Sequence, residues 1–157
     1  MMRTSKCAAL GVTLGVAALA VSPIAEGAMS KGVSSSCKFT LHQTAGSTLI
    51  KGTETGAAKC AKPFGNGTAT TTYNDIIKGT ALRSAGNATL VLKAGTLKSV
   101  TKLTGKVGKK TTLTGTSKVT GGTRAYKKAH GTVKLKCVTS DLGKHLNCTE
   151  TGTVLGV

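Results

Sequence analysis

The sequence predicts an all-β protein, an antiparallel closed barrel of about eight strands, with a β-sandwich as the alternative. Three observations carry this expectation. Beyond the first thirty residues, no segment repeats apolar side chains at the 3.6-residue period of a helix. The chain is rich in Thr, which suits strands, and holds 21 Gly, which mark turns and bulges. Short candidate strands recur at regular spacing with turn signals between them.

The N-terminus follows a different pattern. Met1 to Lys6 is short and basic, Cys7 to Val21 is an apolar Ala/Leu/Val/Gly run, and Ser22-Pro23 and small residues follow. That is the three-part layout of a secretory signal peptide. Ala25-Glu26-Gly27 meets the small-x-small rule and places cleavage before Ala28, with Ala18-Leu19-Ala20 as a second site. The apolar run falls short of the ~20 residues that cross a bilayer. Cys7 precedes that run instead of ending it, which argues against a lipoprotein. The expected organisation is a signal peptide over 1–27, preceding a flexible leader over 28–36 and a single barrel domain over 37–157. Its expected location is secreted, extracellular or periplasmic. The mature chain has no further apolar run of transmembrane length.

Strands are expected at about 37–42, 47–55, 66–74, 87–93, 95–103, 111–119, 131–138 and 145–154. Ala94-Gly95, Gly105-Lys-Val-Gly108 and Asp141-Leu-Gly-Lys144 supply explicit turns. Val133-Lys134-Leu135-Lys136-Cys137 alternates apolar and charged residues strictly, so one face points to a core and the other to water.

Four cysteines remain once Cys7 leaves with the signal peptide, and an even count in an exported chain implies two disulfides. If the last hairpin turns between Leu142 and Gly143, Cys137 and Cys148 lie directly opposite each other. Their Cβ atoms then approach to about 4.5–5.5 Å, close to disulfide geometry. Cys137–Cys148 is the expected bridge, leaving Cys37–Cys60 as the second. No C-x-x-C or H-x-x-x-H spacing supports a metal site, and no cofactor is expected.

The mature part carries 18 Lys and 2 Arg against Glu54, Asp75, Asp141 and Glu150, a net charge near +16. This balance favours solubility and attraction to polyanions. The candidate polyanion surface comprises Lys98, Lys102, Lys106, Lys109, Lys110, Lys118, Arg124, Lys127, Lys128, Lys134 and Lys136. Lys outnumbers Arg, and aromatic side chains able to stack on bases are few, which disfavours nucleic acid. An anionic cell-envelope polymer, a lipid surface or a small apolar ligand fits better as partner.

Val119-Thr-Gly-Gly-Thr-Arg-Ala-Tyr-Lys-Lys-Ala-His-Gly-Thr-Val133 resembles the motif of the allene oxide cyclase and dirigent-like β-barrel proteins. In bacterial members that motif reads roughly I/V-T-G-G-T-G-x-Y-x-G-A-x-G-x-V. Val119, Thr120, Gly121, Gly122, Thr123, Tyr126, Ala129, Gly131 and Val133 match it. Asn87 to Leu97 resembles the paired strands that precede the motif. The resemblance spans roughly residues 66 to 140 and implies a secreted or lumenal closed barrel with an interior cavity. Arg124 and Lys128 depart from it, standing where the family has Gly. No catalytic residue carries over. Gly121, Gly122, Thr123, Tyr126 and Gly131 are expected to form a structural loop, with Tyr126 covering the barrel end.

Alternation also places acids. Glu150 shares a face with Leu146, Cys148 and Val154, Glu54 one with Ile50, and Asp75 one with Tyr73. An inward carboxylate would have a raised pKa and suit acid–base chemistry, so Glu150, Glu54 and Asp75 are the catalytic candidates. Pairing with surplus lysines at the rim is the expected structural setting for all three. His42, His130 and His145 have no triad-like setting, and no nucleophile-elbow motif occurs. The expected function is non-enzymatic binding or a structural role. The alternatives are a cyclase- or isomerase-like enzyme using an inward carboxylate, and a secreted cationic effector or inhibitor.

Overall fold

The computed structural model describes residues 31–157, so the expected signal peptide and residues 28–30 of the expected leader lie outside it. Eight strands follow in order: β1 (Val33–Gln43), β2 (Lys51–Cys60), β3 (Asn66–Lys78), β4 (Ala81–Leu92), β5 (Gly95–Lys106), β6 (Thr111–Gly122), β7 (Gly131–Thr139) and β8 (His145–Val154). Each pairs antiparallel with its neighbours, and β8 pairs with β1 to close the barrel. Closure removes both free edges and satisfies every strand's backbone groups on two sides. The sandwich alternative is excluded. No helix among the described residues is long and apolar enough to cross a membrane.

Three strands begin away from their expected positions, and β2, β3, β5 and β6 run on past their expected ends to Cys60, Lys78, Lys106 and Gly122. Val33–Ser36, expected in a flexible leader, form the first pairs of the β1–β8 ladder, with Val33 opposite Val154 and Ser36 opposite Thr151. Three consecutive serines look like a linker in sequence, yet Ser35 points inward and is buried. The second strand is shifted to Lys51–Cys60, because Thr44–Ile50 folds as a loop whose amides donate to the Lys51 and Thr53 carbonyls and whose Thr48 and Ser47 hydroxyls accept from the amides of the same two residues. The fourth starts at Ala81 instead of residue 87. Ala81-Leu-Arg-Ser-Ala-Gly has little β-propensity, but it is held by ladders to β3 and β5 on both sides.

Connections β1–β2, β3–β4, β5–β6 and β7–β8 gather at one end, called the mouth below. The others gather at the base with the start of β1 and the end of β8. The base is filled by an apolar cluster including Phe64, Leu97, Val119, Tyr126, Ala129, Val133 and Val154. Phe64 and Tyr126 face each other with ring centroids 5.9 Å apart, a geometry in the favourable range for aromatic pairs. Tyr126 reaches this position from a single 3-10 turn, Arg124–Tyr126. Thr123 anchors that turn through two bonds with Thr96: its amide donates to the Thr96 carbonyl and its hydroxyl accepts from the Thr96 amide. Arg124 has φ 52°, the left-handed region that favours glycine, at a position where the resembling motif carries Gly. Lys128 is not among the residues with positive φ.

Both expected disulfides form, Cys37–Cys60 and Cys137–Cys148, each with Cα atoms 4.0 Å apart. Both join directly opposed residues of neighbouring strands. Cys37, Cys137 and Cys148 are buried in the second apolar cluster, with Phe39, Leu41, Leu82, Leu103, Leu113 and Leu146. Lys134 and Lys136 stand outside, alternating with the inward Val133, Leu135 and Cys137.

Some inward positions have no room for a side chain. A Cβ at Gly86 would lie 1.7 Å from the Thr72 carbonyl oxygen, and one at Gly56 would lie 1.9 Å from that of Thr40. Here the neighbouring backbone occupies the space a side chain would fill, as at the sharp bends of a curled sheet. Gly86→Ala is expected to destabilise the barrel by roughly 2 kcal/mol or more. Ala85→Thr, one residue away and facing outward, should change stability by about 0.5 kcal/mol or less; equal effects in chemical denaturation would refute the packing argument. Replacing Cys137 and Cys148 by Ser should cost about 3 kcal/mol by release of the closed loop, read as a lowered denaturation midpoint.

Candidate ligand cavity

Inward side chains of all eight strands leave a cavity of about 140 Å³ between the base cluster and the mouth. Its walls are mainly apolar, among them Phe39, Leu41, Leu82, Leu90, Leu103 and Leu113. Leu49, Leu142 and Gly143 line it at the mouth. A void of this size matches a ligand on the scale of a single aromatic ring.

Three carboxylates line the same space: Glu54 on β2, Asp75 on β3 and Glu150 on β8. The expected rim pairing with lysines is corrected here. All three point into the barrel, and among the described residues the only ion pair is His145 with Asp141, Nδ1 to Oδ2 2.6 Å, in the β7–β8 turn. The physical reason is the period of the strand: Glu54 lies two positions from Gly56 and four from the buried Ala58, while the strand's Lys51 and Lys59 fall on the opposite face.

Glu54 and Asp75 belong together. Glu54 is 6% exposed, its carboxylate makes no hydrogen bond among the described residues, and its pKa is pushed up to about 7, first by burial and then by the nearby Asp75. Asp75 lies opposite Ser84 of β4. Burial raises its pKa, and a hydrogen bond from Ser84 opposes that shift. Its Oδ1 is buried with no hydrogen-bond partner among the described residues. Tyr73, on the same face of β3, accepts a 2.8 Å bond from Gln43 Nε2 and donates to the Thr48 carbonyl. Burial, and then the negative charge of Glu54, raise the tyrosine's pKa. The polar patch near the mouth is thus Gln43, Glu54, Tyr73, Asp75 and Ser84.

Glu150 occupies a different part of the wall. It is opposite Cys37 and Leu135 in register, and its Oε1 accepts a 3.2 Å bond from Ser35 Oγ. Its pKa is also raised, by burial against the opposing Ser35 bond. Asp141, by contrast, is held down to about 2 by its bonds from His145. It organises the turn, where Thr139 Oγ1 also donates to it at 2.9 Å. No group of three or more His, Cys, Asp or Glu among the described residues is arranged to hold a metal.

The polyanion candidates are all exposed, but they do not form one compact site. Lys102 and Lys134 flank Thr116 across β5, β6 and β7, and Lys136 lies beside Thr114. Lys98 and Lys118 extend this face toward the base. Lys106, Lys109 and Lys110 belong to the mouth, and Arg124, Lys127 and Lys128 to the base. Gln43, Ser84 and Ser35 were not expected in the interior. Their signal was present in the alternation of β1 and β4, obscured because both strands extend further than their β-propensity suggests.

No protein-family model matches the chain, and no curated protein sequence does. Among solved structures, pyocyanin demethylase aligns with a TM-score of 0.44 and 11% identity, over 77% of this chain and 99% of that one. A likeness at that level carries no argument about function.

The carboxylates make stability depend on pH. Glu54 holds a proton up to about pH 7 in the barrel, against 4.5 ordinarily, so the folded state binds more protons than the unfolded one between those values. Stability therefore falls as pH rises from about 4.5 to about 7 and levels off above; Asp75 and Glu150 add in the same direction. Glu54→Gln should flatten this slope and raise stability at pH 8 by about 3 kcal/mol. Urea denaturation of both proteins at pH 5 and pH 8 measures it, and a parallel pH dependence would contradict the assignment.

Proposed function

We propose that this protein is an exported binding barrel, and that its ligand is a small, ring-sized apolar molecule bearing a basic or hydrogen-bond-donating group. The observation that carries this reading is the apolar cavity holding Glu54 and an Asp75 Oδ1 that, among the described residues, has neither a hydrogen-bond partner nor an ion-pair cation. A buried acceptor without a partner is costly, and a ligand donor placed there would remove that cost. The rest of the wall supplies apolar contact, and a few polar groups among many apolar ones are the usual make-up of a small-molecule site. Export is supported by the leader pattern of residues 1–27 and by the two disulfides, which persist in oxidising compartments. The resemblance of Val119–Val133 to allene oxide cyclase and dirigent-like barrels accords with a cavity-bearing barrel.

A second reading, a cyclase- or isomerase-like enzyme, is favoured by one observation. A carboxylic acid with pKa about 7 is poised to give and take protons at neutral pH. In that case Glu54 would be the proton-transfer group, with Tyr73 and Gln43 orienting the substrate beside it.

Titration calorimetry separates the choices. Benzylamine should bind at least about tenfold more tightly than toluene, and the difference should vanish in Glu54→Gln combined with Asp75→Asn, while Lys134→Gln leaves it unchanged. Equal affinity for the two probes in the natural protein would refute recognition by the carboxylates.

A further inference from the structure

The mouth differs from the base in one respect besides its opening. Leu49 and Ile50 in the β1–β2 loop and Leu142 in the β7–β8 turn project into solvent, 51%, 53% and 61% exposed. These two connections are neighbours, because the Gln43 amide donates to the Lys144 carbonyl across them at 3.0 Å. Their apolar tips are not placed there by chance fraying. Tyr73 binds the Thr48 carbonyl just before Leu49, and the Asp75 amide binds the Ile50 carbonyl at 2.7 Å. Leu142 has φ 58°, a conformation unfavourable to a branched side chain, and the turn is nevertheless fixed by Asp141 and Thr139 bonding to its amides.

Lysines are spread round the same rim. Lys51, Lys78, Lys106, Lys109, Lys110 and Lys144 are exposed at the ends of the mouth connections. The acid of those connections, Asp141, is already paired with His145, while Glu54 and Asp75 face the cavity. The base is basic too, through Lys93, Arg124, Lys127 and Lys128, but Phe64 and Tyr126 are buried there, and its exposed Val91 lies on the outward wall of β4 and not on a connection. Apolar tips and unneutralised positive charge therefore coincide at the mouth.

We propose that the mouth docks on an anionic lipid surface, with Leu49, Ile50 and Leu142 inserted at the boundary between headgroups and acyl chains and the ring of lysines on the phosphates. Interfacial binding of this kind takes its strength from buried apolar area together with attraction to anionic lipid. The charge ring favours a lipid surface with net negative charge, and the protruding apolar tips favour a bilayer over a soluble anionic polymer, which would offer them nothing to bury in. Docking in this orientation turns the cavity opening toward the membrane, so an apolar molecule could pass between lipid and barrel without crossing water. The docking itself does not rest on the identity of the cavity ligand.

Co-sedimentation with phosphatidylcholine vesicles, with and without phosphatidylglycerol, tests the proposal. The protein should pellet with the phosphatidylglycerol vesicles and not with phosphatidylcholine alone. Leu49→Ser, Ile50→Ser and Leu142→Ser combined should weaken binding about tenfold or more, with circular dichroism confirming the fold. Lys109→Gln with Lys110→Gln should weaken it more than Lys127→Gln with Lys128→Gln. Two outcomes overturn the proposal: no binding to either vesicle, or salt-sensitive binding that the three apolar substitutions leave intact. The second result would assign the lysines to a soluble anionic polymer. Loss of benzylamine binding with vesicle binding retained would count against the cavity reading alone.

Discussion

The pairing of β8 with β1 is the constraint on which the rest of this protein depends. Ten register pairs, from Val33 with Val154 to His42 with His145, close the sheet. Once it is closed, every strand has an inner and an outer face, and the side-chain period of two assigns each residue to one of them. The fate of the charged residues follows from this assignment. Lysines of β5, β6 and β7 fall outside and the three carboxylates fall inside, although nothing local distinguishes their strands. In an open sheet, Glu54 and Asp75 could turn to water. In the barrel they share an apolar interior, and their raised pKa values are the electrostatic consequence of closure.

Closure also demands sharp bending, which this chain meets with inward glycines. Gly56 and Gly86 bring neighbouring backbones so close that a methyl group would overlap a carbonyl oxygen. The inner diameter left over is modest. Two disulfides and a ring of leucines fill much of it, and the base is sealed by Phe64 against Tyr126. What remains is a small cavity with its polar patch toward the mouth. Stability and binding are in tension there, since buried carboxylates weaken the fold at neutral pH while supplying the polar groups a ligand would engage.

Much of this was legible in the chain itself. Eight strands, their antiparallel order and the Cys137–Cys148 pairing followed from turn positions and alternation, because a hairpin's turn fixes its register. The inward direction of Glu150 followed from its phase with Leu146 and Cys148. The lysine pairing expected for the acids failed for a physical reason: Lys51 and Lys59 on β2 and Lys78 on β3 stand an odd number of positions from Glu54 and Asp75, and so on the opposite face of the strand. The early start of β1 and β4 escaped notice because Ser34–Ser36 and Ala81–Gly86 have weak intrinsic preference, and tertiary ladders on both sides decide for them.

The sequence by itself determined the all-β class, the number of strands, the opposed cysteines and the excess of positive charge. These depend on local spacing and composition, which a linear chain carries. Only the tertiary structure decided that Glu54 feels the charge of Asp75 while Glu150 stands apart with Ser35, since register and closure set which inward residues of different strands face one another. It also decided that Leu49, Ile50 and Leu142, more than 90 positions apart at the extremes, rise from one rim. Alternation gives each strand two faces; closure settles which residues of different strands look at one another.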